Sequence, residues 1–144
     1  MKNEKLEQFL KNRENRIQVR VSFLDCDGMN VVRFPVYLNY LEAGLIELLR
    51  GIGFEPGKEY LERNLAFPVR EITCKYHKSG RFDEILDVVT HITSVGSSSI
   101  VTSGQVYRQN VLMMENTSVR VCLNVETGQK IPLEDAFKHL LDRV

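Results

Sequence analysis

Residues 20–37 read RVSFLDCDGMNVVRFPVY and carry more structural and chemical information than any other part of the chain. Asp25 and Asp27 form a carboxylate pair in a loop between a strand pattern and a long apolar helix pattern. Pro35 suits the first turn of that helix, because the N–H that proline lacks has no helical partner there. The stretch thus predicts an acid, a helix N-terminus and an apolar wall close together, as a reactive carbonyl beside a hydrophobic group requires.

The segments on either side of this loop have clear periodicities. Residues 17–23 alternate apolar and polar side chains, which predicts a strand with one buried face. Residues 36–49 carry their polar side chains on one arc, so we expect a helix that is covered by protein on most sides. Gly51 and Gly53 are natural terminators of this helix. Before them, residues 2–13 predict a short helix with Leu6, Phe9 and Leu10 on one face, packed weakly.

The rest of the chain is mostly strand-like. Residues 57–65 are compatible with a short helix or an ordered loop. Strands are predicted over 69–76 with a bulge near Glu71, over 86–93, and over 97–108 and 111–125 with a hairpin turn at Gln109 and Asn110. Residues 133–141 predict a terminal helix. The order indicates one α+β domain over 1–144, a five-stranded antiparallel sheet around one long central helix, with residues 1–14 as a helical extension.

The composition excludes several classes of protein. Lys+Arg and Asp+Glu are equal at 19 each, which argues against a nucleic-acid partner, whose binding depends on surplus cationic charge. No apolar run approaches the ~20 residues that span a bilayer, so no membrane partner is expected. Met1–Lys5 lacks the apolar segment of a secretory signal. Cys26, Cys74 and Cys122 are widely spaced, which indicates reduced thiols and a cytoplasmic protein.

A spaced set of residues in and after the loop resembles the hydroxybenzoyl-CoA thioesterase family of the hotdog fold. The set consists of Asp25, Asp27, Met29, Asn30, Val32, Phe34, Pro35, Tyr37, Tyr40 and Glu42. Residues 76–84, YHKSGRFDE, and the passage from Val121 to Leu133 resemble later parts of the family in the same order. The similarity covers residues 17–135.

This resemblance implies hydrolysis of an acyl-CoA or related thioester with neither a metal nor an organic cofactor. It assigns the catalytic carboxylate to Asp27 and the carbonyl-polarising group to the backbone N–H near Phe34. It also implies a homodimer or homotetramer whose sites are shared between subunits. The substrate-binding residues that we expect are Asn30, Val32, Arg33, Pro35, Tyr37 and Ser98.

The chain departs from the family pattern at three places. Phe34 stands where one branch has histidine, and Asn30 stands where glycine is common. The arginine and lysine cluster that binds nucleotide phosphates in one branch is replaced by Gly96, Ser97 and Ser98. Lys78, Arg81 and Arg108 are alternative phosphate contacts, although solvated strand positions explain them equally well.

The chemistry of the loop leaves two interpretations of Asp27. A carboxylate serves as nucleophile or general base, and N–H groups at a helix N-terminus stabilise an oxyanion. Asp27 precedes Pro35 by eight residues, close enough for a folded loop to present both to one carbonyl. Alternatively, Asp27 only caps a turn with Gly28. We favour catalysis because of the resemblance.

Neighbouring acids and nucleophiles are expected to have structural roles. Asp25 should fix the loop by accepting backbone hydrogen bonds, and Glu42 should pair with Arg20 or Arg33. Cys26 is rejected as a nucleophile because two adjacent carboxylates disfavour its thiolate. The three histidines, His77, His91 and His139, lack metal-ligand spacing, so no metal site is predicted.

The sequence therefore predicts a cytoplasmic thioesterase acting on an acyl-CoA or an acyl-carrier-protein thioester. A non-catalytic protein that binds acyl ligands on the same fold is the main alternative. A hotdog hydratase or dehydratase is a weaker one, because the short Asp and His loop of those enzymes is not found.

Overall fold

The computed structural model describes residues 4–143, so the start of the expected 2–13 helix and of the 1–14 extension lies outside the described residues. The helices are α1 (Glu4–Leu10), α2 (Val36–Gly51), α3 (Pro56–Arg63), α4 (Leu133–Ala136) and α5 (Lys138–Leu141). The strands are β1 (Glu14–Arg20), β2 (Leu65–Ala66), β3 (Val69–Tyr76), β4 (Ile85–Val95), β5 (Ser99–Arg108), β6 (Val111–Val121) and β7 (Leu123–Asn124).

The main sheet has five antiparallel strands in the order β1-β4-β5-β6-β3, and α2 packs across its inner face. This confirms the predicted α+β architecture. The register between β3 and β6 shifts between Val69 and Glu71, which confirms the bulge. Gln109 and Asn110 have φ values of 49° and 67°, as the mirror-image turn of a tight hairpin requires.

Several boundaries differ from the prediction. α1 ends at Leu10 instead of residue 13, and β1 begins at Glu14, inside the expected helical extension over residues 1–14. β1 ends at Arg20, and Phe23 lies in a short 3₁₀ turn that spans Phe23–Asp25. The last predicted strand ends at Val121, after which β7 leaves the sheet and pairs with β2 in a separate two-stranded sheet. The terminal helix is divided into α4 and α5 at Phe137, whose φ and ψ of −106° and 9° interrupt the helix.

The expected weak packing of the N-terminal helix is wrong. Leu6 and Leu10 are buried, with Phe9 partly buried against the same cluster. They share that cluster with Ile92 of β4 and Leu141 of α5. The apolar face of α1 is therefore part of the main core.

Helix α2 is buried on the face that meets the sheet, while the side that carries Asn39, Glu42 and Glu47 is exposed. The exposed side matches the predicted polar arc, and the apolar positions of α2 are buried or half-buried against the sheet and the other helices. The contact with the sheet is very close. A Cβ added to Gly44 would lie 2.6 Å from Thr90 Oγ1 and 3.2 Å from Val88 Cγ1.

No helix in the described part of the chain, residues 4–143, is long and apolar enough to cross a membrane.

We expect Gly44→Ala to destabilise the protein. Overpacking costs about 1–3 kcal/mol, and alanine's higher helix propensity offsets about 1 kcal/mol of this, so the free energy of unfolding should fall by up to about 2 kcal/mol. Urea unfolding measures the change. Gly57→Ala in α3 is the control, because its Cβ would meet nothing within 4 Å. Equal stability of both variants would show that α2 has room to move away from the sheet.

Candidate active site

The loop between β1 and α2 folds back on itself. Cys26 and Val32 form an isolated antiparallel bridge. The Asp27 N–H donates to the Val31 carbonyl at 3.0 Å, and the Arg33 N–H donates to the Asp25 carbonyl at 2.9 Å. These bonds make a small hairpin with Asp27 on one arm and Phe34 just beyond the other.

Asp27 caps the tip of this hairpin with one of its two carboxylate oxygens. Its Oδ1 accepts from the Met29 N–H at 2.9 Å and from the Val31 N–H at 3.4 Å. Asn30 completes the turn at φ 59°, a left-handed conformation that asparagine tolerates well, and so takes the place of a glycine. Within residues 4–143, Oδ2 of the half-buried Asp27 has no hydrogen-bond partner. The turn-capping interpretation therefore holds for one oxygen and leaves the other available.

Asp25 fixes the loop, as predicted. Its Oδ2 accepts from the Ser22 N–H at 2.9 Å and from the Tyr40 hydroxyl at 2.7 Å. Burial, and then this bond to the Asp25 carboxylate, raise the pKa of Tyr40 far above its usual value, so the hydroxyl remains a donor. The loop is thereby attached to α2 one turn after the helix begins.

The N-terminus of α2 presents a free donor. Pro35 is the N-cap with φ −70°, and the Leu38 N–H already bonds to the Pro35 carbonyl at 3.1 Å. The Phe34 N–H has no acceptor anywhere in the described chain. Phe34 itself is 71% exposed. Such an N–H, supported by the helix dipole, suits an oxyanion.

Aromatic residues form the wall behind this donor. The Tyr76 hydroxyl donates to the Phe34 carbonyl at 2.9 Å, and its ring makes an edge contact with Phe34 at 6.3 Å. The buried Tyr37 accepts from the Gly80 N–H at 2.8 Å and contacts the Tyr76 ring at 5.7 Å. Sequence reasoning did not single out Tyr76 or Gly80, although both lie in the segment YHKSGRFDE.

The structure brings all but one of the expected site residues onto the folded loop and the start of α2. Val32 is buried and donates its N–H to the Gly80 carbonyl at 2.9 Å, and the exposed Arg33 side chain bonds to the Leu24 carbonyl. Ser98 is separate. Ser98 comes directly before β5. Val106, near the other end of β5, packs in the same cluster as Val32 of the loop, and eight residues of strand, about 25 Å, separate Ser98 from it. Its role in binding stays a prediction.

The predicted partners of Glu42 are wrong. Glu42 pairs with Arg120 of β6, whose guanidinium also donates to the Phe67 carbonyl at 3.1 Å. Arg20 pairs with Asp83 at 3.3 Å instead. Glu42 lies two helical turns after Pro35 and is therefore away from the loop. It lies beside the end of β6 that contains Arg120, which follows Glu42 by 78 residues in the sequence.

The remaining candidates have structural partners. Burial, and then the charges of Asp25 and Asp27, raise the pKa of the Cys26 thiol, which supports its rejection as a nucleophile. Arg108 pairs with Glu84 at 2.8 Å. Each histidine lies beside a carboxylate: His77 with Glu115, His91 with Glu14 and His139 with Glu59.

A five-stranded antiparallel sheet on one long helix, with an acid loop at the helix N-terminus, defines the hotdog class of thioesterases. Residues 29–114 match the family model described as the thioesterase superfamily, and the chain belongs to that family. The resemblance seen in the sequence is thereby confirmed, and the protein is an enzyme of this class.

Several known proteins are similar to it. The chain is 34% identical over 110 residues to the acyl-CoA thioester hydrolase YbgC of Escherichia coli, which covers 76% of this chain and 81% of that protein. It is 30% identical over 128 residues to the acyl-CoA thioesterase YbgC of Haemophilus influenzae, covering 85% and 93%. A hypothetical protein of Thermus thermophilus superposes with a TM-score of 0.80 at 30% identity, covering 88% and 95%.

A more distant solved structure has the same fold. The 4-hydroxybenzoyl-CoA thioesterase of Pseudomonas superposes with a TM-score of 0.79 at 23% identity and covers 89% of this chain and 99% of that one.

We expect Tyr40→Phe to weaken both the loop and the fold. A hydrogen bond to a charged group contributes about 1.5–3 kcal/mol, so the free energy of unfolding should fall by roughly 1.5 kcal/mol in a urea titration. Tyr107→Phe on the outer face of β5 is the control, because the Tyr107 hydroxyl has no partner between Glu4 and Arg143. A loss of the same size in both variants would contradict the role of Tyr40 in holding Asp25.

Proposed function

We propose that the protein hydrolyses an acyl-CoA or acyl-carrier-protein thioester to the free acid and thiol, with Asp27 and the Phe34 N–H as its reacting groups. The observation that carries this proposal is the pair of unused groups on one folded loop. Asp27 Oδ2 and the Phe34 N–H both lack a partner in the described chain, whereas the N–H groups of Asp27, Val32 and Arg33 beside them are bonded.

The proposed reaction uses these groups in sequence. The thioester carbonyl oxygen accepts from the Phe34 N–H, which stabilises negative charge on that oxygen as the carbonyl carbon is attacked. Asp27 either attacks that carbon to form a mixed anhydride, which water then hydrolyses, or removes a proton from an attacking water. In both routes the C–S bond breaks and the thiolate leaves and takes up a proton.

The loop prepares Asp27 for this role by restricting its carboxylate. Two N–H groups hold Oδ1, so Oδ2 keeps one direction without further ordering when the substrate binds. The exposed Phe34 and Tyr76 provide an apolar surface for the acyl group beside the carbonyl, with the buried Tyr37 behind them. The names of the YbgC relatives support acyl-CoA as the thioester.

We expect Asp27→Asn to lower kcat by about 10²–10⁴-fold, because it removes the charge needed for attack. Asparagine retains an oxygen that can accept from Met29 and Val31, so the turn and the free energy of unfolding should be preserved. Steady-state hydrolysis of the best acyl-CoA in a panel measures the effect. Asp142→Asn on the exposed C-terminal segment is the control. A near-normal kcat for Asp27→Asn would remove Asp27 from the mechanism.

We also propose a homodimer that forms along β3. β3 is an edge strand, and Ile72 on its inner face is 43% exposed beside α2. Soluble proteins rarely leave such an edge uncovered. Two-fold antiparallel pairing of β3 places the Val69 end of one chain beside the Tyr76 end of the other. Ser98 lies near the Val69 end of β3, so this pairing brings it close to the β1–α2 loop of the partner chain.

The dimer is tested by light scattering at micromolar concentration, where the wild-type mass should be two or four times that of one chain. Ile72→Lys places a charge in the proposed contact and should shift the mass to that of one chain. Thr117→Lys, on the outer face of the interior strand β6, should leave the mass unchanged. An active wild-type monomer would overturn the assembly and the shared site.

We place the protein in the cytoplasm. Cys26, Cys74 and Cys122 are free thiols, which supports a reducing compartment.

A further inference from the structure

The peptide group between Arg33 and Phe34 carries the N–H to which we assign the oxyanion. Its other end is bonded, because the Arg33 carbonyl accepts from the Val36 N–H at 2.9 Å and so closes a four-residue turn at the start of α2. Hydrogen bonds in a chain polarise one another, so a donor on this carbonyl strengthens the N–H at the opposite end of the same peptide. The direction and the strength of the Phe34 N–H therefore depend on this turn.

The turn is intrinsically weak. Pro35 is its third residue, a position at which proline is disfavoured in the commonest β-turn, because the ring restricts the conformation of the residue before it. That restricted residue is Phe34, the donor itself. Phe34 is also 71% exposed, so burial contributes little to fixing it. A bond from outside the turn is therefore needed to hold Phe34.

The Tyr76 hydroxyl supplies this bond. It donates to the Phe34 carbonyl at 2.9 Å, and no other group within residues 4–143 donates to that carbonyl. The two peptide groups that meet at the Phe34 Cα are thus held by different parts of the fold, one by the turn and the other by β3. With both peptide groups held, the φ and ψ angles of Phe34 are restricted and its N–H keeps one direction.

The sheet fixes Tyr76 in turn. Tyr76 is the last residue of β3 and pairs with Met114 of β6, and the His77 N–H just beyond it bonds to the Met113 carbonyl at 2.8 Å. The Tyr76 ring also makes an edge contact with the buried Tyr37 at 5.7 Å. Burial raises the pKa of Tyr76, so its hydroxyl stays protonated at neutral pH. A paired strand therefore presents the donor that holds Phe34.

We propose that Tyr76 is a positioning residue, whose hydroxyl directs the Phe34 N–H towards the thioester oxygen by holding the Phe34 carbonyl. The proposal rests on the proposed function and adds a residue to its mechanism. An oxyanion donor contributes most when negative charge develops on the oxygen that it binds. The loss of the Tyr76 bond should therefore slow the chemical step more than it weakens substrate binding.

Tyr76→Phe tests the proposal, because it removes the hydroxyl and keeps the ring that faces the acyl group. We expect kcat to fall about ten-fold, less than the loss of about 10²–10³-fold that follows removal of a whole oxyanion donor, and KM to change by less than about two-fold. The pH profile of kcat should keep its shape, because neither the Phe34 N–H nor its carbonyl titrates. Tyr107→Phe, the same chemical change on the outer face of β5, should leave kcat and KM at wild-type values.

An infrared measurement reports on the N–H directly. In the complex with a ketone analogue of the acyl-CoA, whose thioester sulfur is replaced by a methylene group, a bond from the Phe34 N–H lowers the stretching frequency of the ketone. Tyr76→Phe should move this band to higher frequency, and Tyr107→Phe should leave it in place. Light scattering should give the wild-type mass for both variants, which shows that the assembly is retained.

An unmoved ketone band would overturn the proposal, even with a lower kcat, and would leave Tyr76 as a packing residue. A kcat within about two-fold of the wild-type value would also overturn it, and a raised KM would then indicate a substrate contact alone. If thermal unfolding shows that Tyr76→Phe is not folded, Tyr76→Met replaces it, and the same movement of the band is expected. The proposed function would survive these results, whereas a wild type that hydrolyses no acyl-CoA in the panel would overturn both.

Discussion

The close contact between α2 and the sheet is the constraint on which the other features depend. Gly44 brings the helix backbone against Thr90, and Gly104 of β5 leaves room for Leu41, since a Cβ there would lie 2.4 Å from Leu41 Cδ2. With glycine on both surfaces, the helix lies directly on the strands. Its position on the sheet is then fixed, and the buried polar side chains of β4, β5 and β6 lie beneath it.

From that fixed helix, two tyrosines position the loops of the site. Tyr40 donates to Asp25 in the β1–α2 loop, and Tyr37 accepts from Gly80 in the β3–β4 loop. One helical turn therefore holds both loops at the same end of the sheet. Asp27 has little freedom because its own turn is bonded to this frame. The proposed mechanism uses a carboxylate oxygen and a Phe34 N–H that this frame already holds in place, and such preorganisation lowers the cost of orienting a reaction.

Short sequence patterns predicted the features of the loop that depend on neighbouring residues. They did not predict contacts between residues that are far apart in the sequence. The Asp-Gly step predicted a turn at Asp27, and the turn exists, but only three-dimensional geometry reveals that one oxygen stays free. Nothing near Glu42 indicates a partner 78 residues away. Polar and apolar side chains do not alternate clearly around Asn116. The sequence therefore does not indicate that the Asn116 side chain faces the helix instead of the outer side of the sheet. The five strands and α2 were predictable because their periodicities are long and regular.

The most direct test of the central claim is a crystal structure with a non-hydrolysable acyl-CoA analogue in which the thioester sulfur is replaced by a methylene group. Its ketone oxygen should accept a hydrogen bond from the Phe34 N–H, and Asp27 Oδ2 should be the carboxylate oxygen nearest to the ketone carbon. A ketone bound elsewhere, with Asp27 turned away from it, would contradict the assignment of both groups.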